Sequence, residues 1–123
     1  MRNKPKIKPV DWISSSLKDM RALPEDVQAT FGFALYLAQC GGKHPDAKPL
    51  KGFIGAGVLE VVEDYNADTY RAVYTVRFSD SVYVLHVFQK KSKHGIATPR
   101  EEIDKISARL KMAEELHRSK GRQ

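Results

Sequence analysis

Arg71, His86, Lys90, Lys91, Lys93 and His94 are the residues of this chain whose types and spacing suit work on a phosphodiester. Three lysines and a histidine crowd between positions 90 and 94, directly after the run VYVLHVFQ. The cluster suits a site for a phosphate backbone, and if that backbone is RNA, cutting it without a metal would ask little of a protein. The 2′-hydroxyl beside the scissile phosphate is the nucleophile. One group must take its proton, one must steady the extra negative charge on phosphorus, and one must protonate the leaving oxygen. Arg71 suits the second task, because its fork can hold two phosphate oxygens and stays charged at any working pH. Lys90 and Lys91 close a β-rich run. Alternation sends them to opposite faces if the strand continues, so only one can share a face with Arg71. A lysine accepts a proton only if its pKa falls well below about 10.4, and Lys93 and Arg71 push that way. His86 and His94 titrate near neutral pH.

Each of these residues also has a plainer use. Arg71 would serve as an exposed sheet arginine paired with Glu60 or Glu63 across a ladder. The 90–94 cluster would serve as a solvated basic turn, or one that grips RNA without chemistry. His86 lies inside an apolar run, which favours a satisfied core histidine over a catalyst. Tyr83 and Phe88 could stack a base, a contact worth roughly 1–3 kcal/mol, although Phe88 suits core packing better. Trp12 reads as a packing anchor, and Cys40 as a thiol buried at the end of an apolar helix face.

The elements that must position these groups follow from the hydrophobic pattern. The segment from Lys8 to Trp12 reads as a short strand, kept at an edge by Pro9. Ser14 to Leu23 allows a short helix. Pro24, Glu25 and Asp26 open a second helix. Its apolar positions Val27, Phe31, Ala34, Leu35 and Ala38 fall on one face, and Gly41-Gly42 ends it. A loop over 43–57 carries Lys48 and Lys51. Three β-rich runs follow, 58–64, 70–78 and 82–89, broken by YNADT and SDS. Such short links imply an antiparallel meander. The third run is nearly continuous apolar, so it is expected to be covered on both faces. In the second, Tyr70, Ala72, Tyr74, Val76 and Phe78 can face helices. Arg71, Val73, Thr75 and Arg77 are expected to line a more open face. Thr98-Pro99-Arg100-Glu101 opens a last helix, with Thr98 as cap and Glu101 completing a capping box. Ile103, Ile106, Leu110, Ala113 and Leu116 mark its apolar side. Residues 1–6 and 118–123 are expected to be flexible. The order predicts one α+β domain over 1–123: two helices, an antiparallel sheet of three or four strands, and a C-terminal helix.

Composition agrees with a single domain of 123 residues, 41% of them hydrophobic. No apolar run approaches the ~20 residues of a membrane helix, and the basic start lacks the apolar stretch of a signal peptide. One cysteine excludes an internal disulfide and offers no metal quartet, and no cofactor is called for. These features fit a soluble cytoplasmic protein. The net charge of +6 divides into +4 over residues 1–24, −3 over 25–88 and +5 over 89–123. Basic ends around an acidic middle suggest a polyanionic partner.

The segments KPLKG (48–52), GVLE (57–60), TYRAVYTV (69–76), YVLHVFQKKSK (83–93) and TP (98–99) together resemble the phage-derived, HigB-like branch of the RelE/ParE toxin superfamily. The resemblance implies a RelE-like fold and a type II toxin, in most relatives a ribosome-dependent endoribonuclease that cuts mRNA. It also implies a helix-turn-helix antitoxin as partner, often in a heterotetramer. Arg71 matches the family's tyrosine–arginine step, and Lys51 a basic position before the first meander strand that would hold a flanking phosphate, with Lys48 beside it. Other members of the superfamily act on gyrase, and a domain that binds RNA or the ribosome without cutting is a further alternative. Related toxins often place an acidic proton donor in a C-terminal Tyr or His near a final strand, where this chain instead turns into Pro99 and a helix.

Overall fold

In chain order the elements are β1 (Val10–Trp12), α1 (Ser16–Arg21), α2 (Glu25–Gln39), β2 (Lys48–Pro49), β3 (Val58–Tyr65), β4 (Asp68–Thr75), β5 (Val82–Lys90) and α3 (Arg100–Gly121). The structure, a computed structural model, describes residues 7–53, 55–90 and 98–121. The meander forms as expected, with β3, β4 and β5 antiparallel. Two short strands extend it to the order β1-β5-β4-β3-β2. β1 runs parallel to β5 at the edge, where the missing N–H of Pro9 costs no ladder bond and its carbonyl accepts from Val82 N–H at 3.0 Å. β2 arises inside the expected loop, and two residues give too short a pattern to announce a strand.

Local chemistry explains the joints. Asn66 and Ala67 both have positive φ, 51° and 66°, the two-residue turn whose twist suits a hairpin. α2 ends in a Schellman motif: Gly42 N–H donates to Leu37 O at 2.8 Å and Gly41 N–H to Ala38 O at 3.0 Å, with Gly41 at φ +87°. Gly57, at φ +63°, passes so close to Arg77 that a Cβ would meet its backbone at 3.0 Å.

Each face of the sheet carries one long helix. α2 buries Val27, Phe31, Ala34, Leu35 and Ala38 against Val61, Ala72, Tyr74, Val84 and Val87. α3 buries Ile106, Leu110 and Ala113 against Val73, Leu85 and Phe88. The second set of β4 residues is therefore not on an open face: Arg71, Val73 and Thr75 are buried. The reason is α3, 22 residues long, about 33 Å of helix, which lies along β5 from Glu102 at His86 to Lys120 at Asp11 and roofs the adjoining part of β4. β5 is covered on both faces, as its apolar run required. A bulge between Val73 and Tyr74 skips Leu85 in the register. Leu85 thus joins the α3 core while His86 still reaches α3 side chains.

The C-terminal segment also departs from expectation. Residues 118–121 are helical rather than a loose tail, because Lys120 Nζ donates to Asp11 Oδ2 at 2.6 Å and His117 Nδ1 lies 2.7 Å from Asp80 Oδ1. No described helix is long and apolar enough to cross a membrane.

Candidate functional site

β4 and β5 fix which cations meet. Arg71 stands opposite Val62 on β3 and Phe88 on β5, while Lys90 stands opposite Thr69. Residues two apart share a face, so Arg71 and Lys90 lie on the α3 side of the sheet. Glu60, opposite Val73, joins them, as does Lys48, opposite Glu60 on β2. Arg71 Nη1 donates to Glu60 Oε2 at 3.0 Å and Oε1 at 3.2 Å, and to Thr98 Oγ1 at 3.3 Å. Arg71 is 5% exposed and Lys90 7%. Burial, and then the nearby Arg71 guanidinium, hold the Lys90 ammonium below its usual pKa, with Glu60 pulling the other way. The group lies at the end of the sheet where β5 closes and near the start of α3.

Lys90 shares the face of Arg71. Lys91, Lys93 and His94 lie outside the described residues. Lys48 and Lys51 are exposed, on β2 and in the turn after it. Of the plainer uses weighed for Arg71, the pairing with Glu60 is present, but the arginine is buried rather than exposed.

Two candidates are corrected. Tyr83 is fully buried; its hydroxyl donates to Asp80 Oδ2 at 3.0 Å and its ring packs edge-on to Phe78, so no base can stack on it. His86 is 4% exposed, stacked on Phe88 with ring centroids 4.6 Å apart. Its Nδ1 accepts from Arg109 Nη1 at 3.0 Å, which leaves Nε2–H to donate to Glu102 Oε1 at 2.6 Å. That is a satisfied core histidine, and both its nitrogens are engaged by α3. Burial, first, and the Arg109 charge depress its pKa, while Glu102 opposes them. Cys40 is likewise exposed rather than buried, because α2 turns its Ala38 side, not its end, to the core.

Thr98, Glu102 and Arg109 are the residues that sequence reasoning missed in these roles. Thr98 read as a helix cap, and its contact with Arg71 spans 27 positions, beyond any local pattern. Arg109 also reaches Leu85 O at 3.1 Å and Ser15 Oγ at 3.2 Å, tying α3 to β5 and to the start of α1. Among the described residues no group of three His, Cys, Asp or Glu could hold a metal ion.

A meander closed by a parallel edge strand with a helix on each face is an α+β fold, and its likeness to a solved structure makes it RelE-like. The family model described as phage derived protein Gp49-like (DUF891) matches residues 18–111, and the chain belongs to that family. A solved E. coli toxin RelE, an arginine double mutant in the free state, superposes with a TM-score of 0.51 at 17% identity, covering 87% of this chain and 97% of that one. The toxin–antitoxin complex RelBE2 from Mycobacterium tuberculosis matches with a TM-score of 0.46 at 19% identity, over 74% of this chain and 100% of that one. No curated protein matches.

Proposed function

We propose that this protein is the toxin of a type II toxin–antitoxin pair and that it cuts mRNA on the ribosome, with Arg71 and Lys90 as its working residues. The observation that carries the proposal is their placement on one face of adjacent strands, with Arg71 bonded to Glu60. Membership of a phage-derived family and a fold shared with the E. coli toxin RelE support the same conclusion.

In this scheme Arg71 holds the scissile phosphate and steadies the charge that builds on phosphorus. Glu60 now occupies the guanidinium, so RNA must exchange for it, a swap of one oxyanion for another. Lys90, its pKa already lowered, exchanges a proton at the 2′-oxygen or the leaving 5′-oxygen. Lys48 and Lys51 steer flanking phosphates from the open side. The inhibitor expected for such a toxin is a helix-turn-helix antitoxin, and the ribosome places the activity in the cytoplasm.

The closure of Arg71 by Glu60 favours one other function, an RNA- or ribosome-binding inhibitor that does not cut. Induction of the protein in cells, followed by mapping of mRNA 5′ ends, separates the two. Cleavage that appears with wild type and vanishes with Arg71→Ala supports the nuclease. Growth arrest over intact transcripts supports the inhibitor, and unimpaired growth without antitoxin contradicts both.

A further inference from the structure

α2 is apolar on both sides. Beneath its core face runs the usual packing, but its outer stripe, Ala29, Gly32, Phe33, Tyr36 and Cys40, faces solvent. Phe33 is 54% and Tyr36 49% exposed. From Val27 to Gly42 there is no Lys, Arg, Asp or Glu, in a chain that is 29% charged. Large apolar side chains on the solvent side of an uncharged helix ordinarily mark a covered face, and a neutral stripe has nothing to offer a polyanion.

Charge lies at the two ends, with opposite signs. Glu25 and Asp26 open the helix and Lys43 follows its end; His44 rests edge-on against Phe33 with centroids 5.8 Å apart. The stripe is therefore complementary to itself when reversed. Setting Phe33 of one copy opposite Tyr36 of another puts Ala29 opposite Cys40 and the acidic end opposite the basic one. Each contact then occurs twice, as a two-fold interface requires, and the helix dipoles oppose. Gly32 and Ala29 leave room for close approach, since a Cβ on Gly32 would meet nothing within 4 Å.

We propose that the outer face of α2 is a self-association surface on which a second copy of this chain docks, antiparallel, about a two-fold axis between Phe33 and Tyr36. The helix is 15 residues long, about 22 Å. Such a pair covers on the order of 300–400 Å² per partner, short of the roughly 800 Å² of a stable interface, so the dimer is weak and forms at high concentration. Because α2 and the Arg71 cluster lie on opposite faces of the sheet, both phosphate sites stay open in it.

Sedimentation equilibrium of the full chain tests the surface. The apparent mass is expected to rise from 13.9 kDa toward twice that as concentration increases from about 1 to about 500 µM, the range of weak interfaces. Phe33→Glu, at an exposed position, is expected to keep the fold by circular dichroism and to stay monomeric throughout. Oxidised Ala29→Cys is expected to give a covalent dimer through Cys40 of the second copy. Cys40 alone is not, since the two Cys40 side chains of the antiparallel pair stand about 16 Å apart along the axis. A wild-type chain monomeric at every concentration, unchanged association of Phe33→Glu, or no cross-link in Ala29→Cys would each overturn the proposal. A stripe protected only when a different protein is added would do so too.

Discussion

Arg71 Nη1 lies 3.0 Å from Glu60 Oε2, a charge pair between adjacent strands, roofed by the start of α3. The arginine side chain is 6% exposed and the glutamate 15%. The pair both stabilises the sheet and withholds the guanidinium from solvent. Removing one partner of a buried pair costs about 3–5 kcal/mol where burial is complete. Glu60 keeps some water, so Glu60→Ala is expected to lose roughly 2–3 kcal/mol by urea unfolding. A loss under about 0.5 kcal/mol, the size of an exposed pair, would contradict this.

His86 gives the fold a dependence on pH. Its folded pKa is below the usual 6.5, so the unfolded chain binds its proton more readily. The contribution is fully present above pH 6.5 and is lost as pH falls from there through the folded pKa. Urea midpoints of wild type and His86→Gln, measured between pH 7.5 and 5, are expected to diverge at the high end and converge at the low end. Parallel curves would mean that His86 titrates alike in both states.

The last turns of α3 are held by Lys120, Asp11, His117 and Asp80. These groups are partly exposed, so Lys120→Ala is expected to cost under about 1 kcal/mol in global stability. Its local effect is larger: amide exchange near the C-terminal end of α3 is expected to speed up while β4 and β5 stay protected. Unchanged exchange there would remove the clamp.

RNA affinity is expected to fall steeply with salt, and each lost phosphate contact to lower the slope of log K against log[salt] by about 0.7 on a single strand. Lys51→Ala and Lys90→Ala are each expected to show that reduction, read by fluorescence anisotropy with a single-stranded RNA. A slope unchanged by Lys90→Ala would take Lys90 out of the phosphate site.

Strong periodicity made most of the fold legible. The apolar face of α2 from Val27 to Ala38 and the meander hairpins rest on local signals, period and turn chemistry, which a chain carries in its sequence. Arg71 and Lys90 could be placed together only after register was known, since alternation alone left Lys90 and Lys91 equivalent. What stayed hidden was long-range. Nothing near Tyr83 announces that Asp80 and α3 will enclose it, and nothing in Thr98 beyond its capping chemistry points to Arg71. The helical end of α3 escaped for the same reason: RSKG is a poor local helix, stabilised by Asp11, 109 positions from Lys120.

The most direct measurement is the chemistry of the cut ends. Purified protein is mixed with ribosomes carrying mRNA, and the fragments are probed for end groups. Attack by the 2′-hydroxyl must leave a 5′-hydroxyl, ligatable only after kinase treatment, and a 2′,3′-cyclic or 3′-phosphate upstream. Wild type is expected to yield such ends, and Arg71→Ala to yield them about 10²–10³-fold more slowly, as loss of a charge-stabilising donor does. Intact mRNA, fragments ending in 5′-phosphate, or equal rates for the two proteins would contradict a phosphate site built on Arg71.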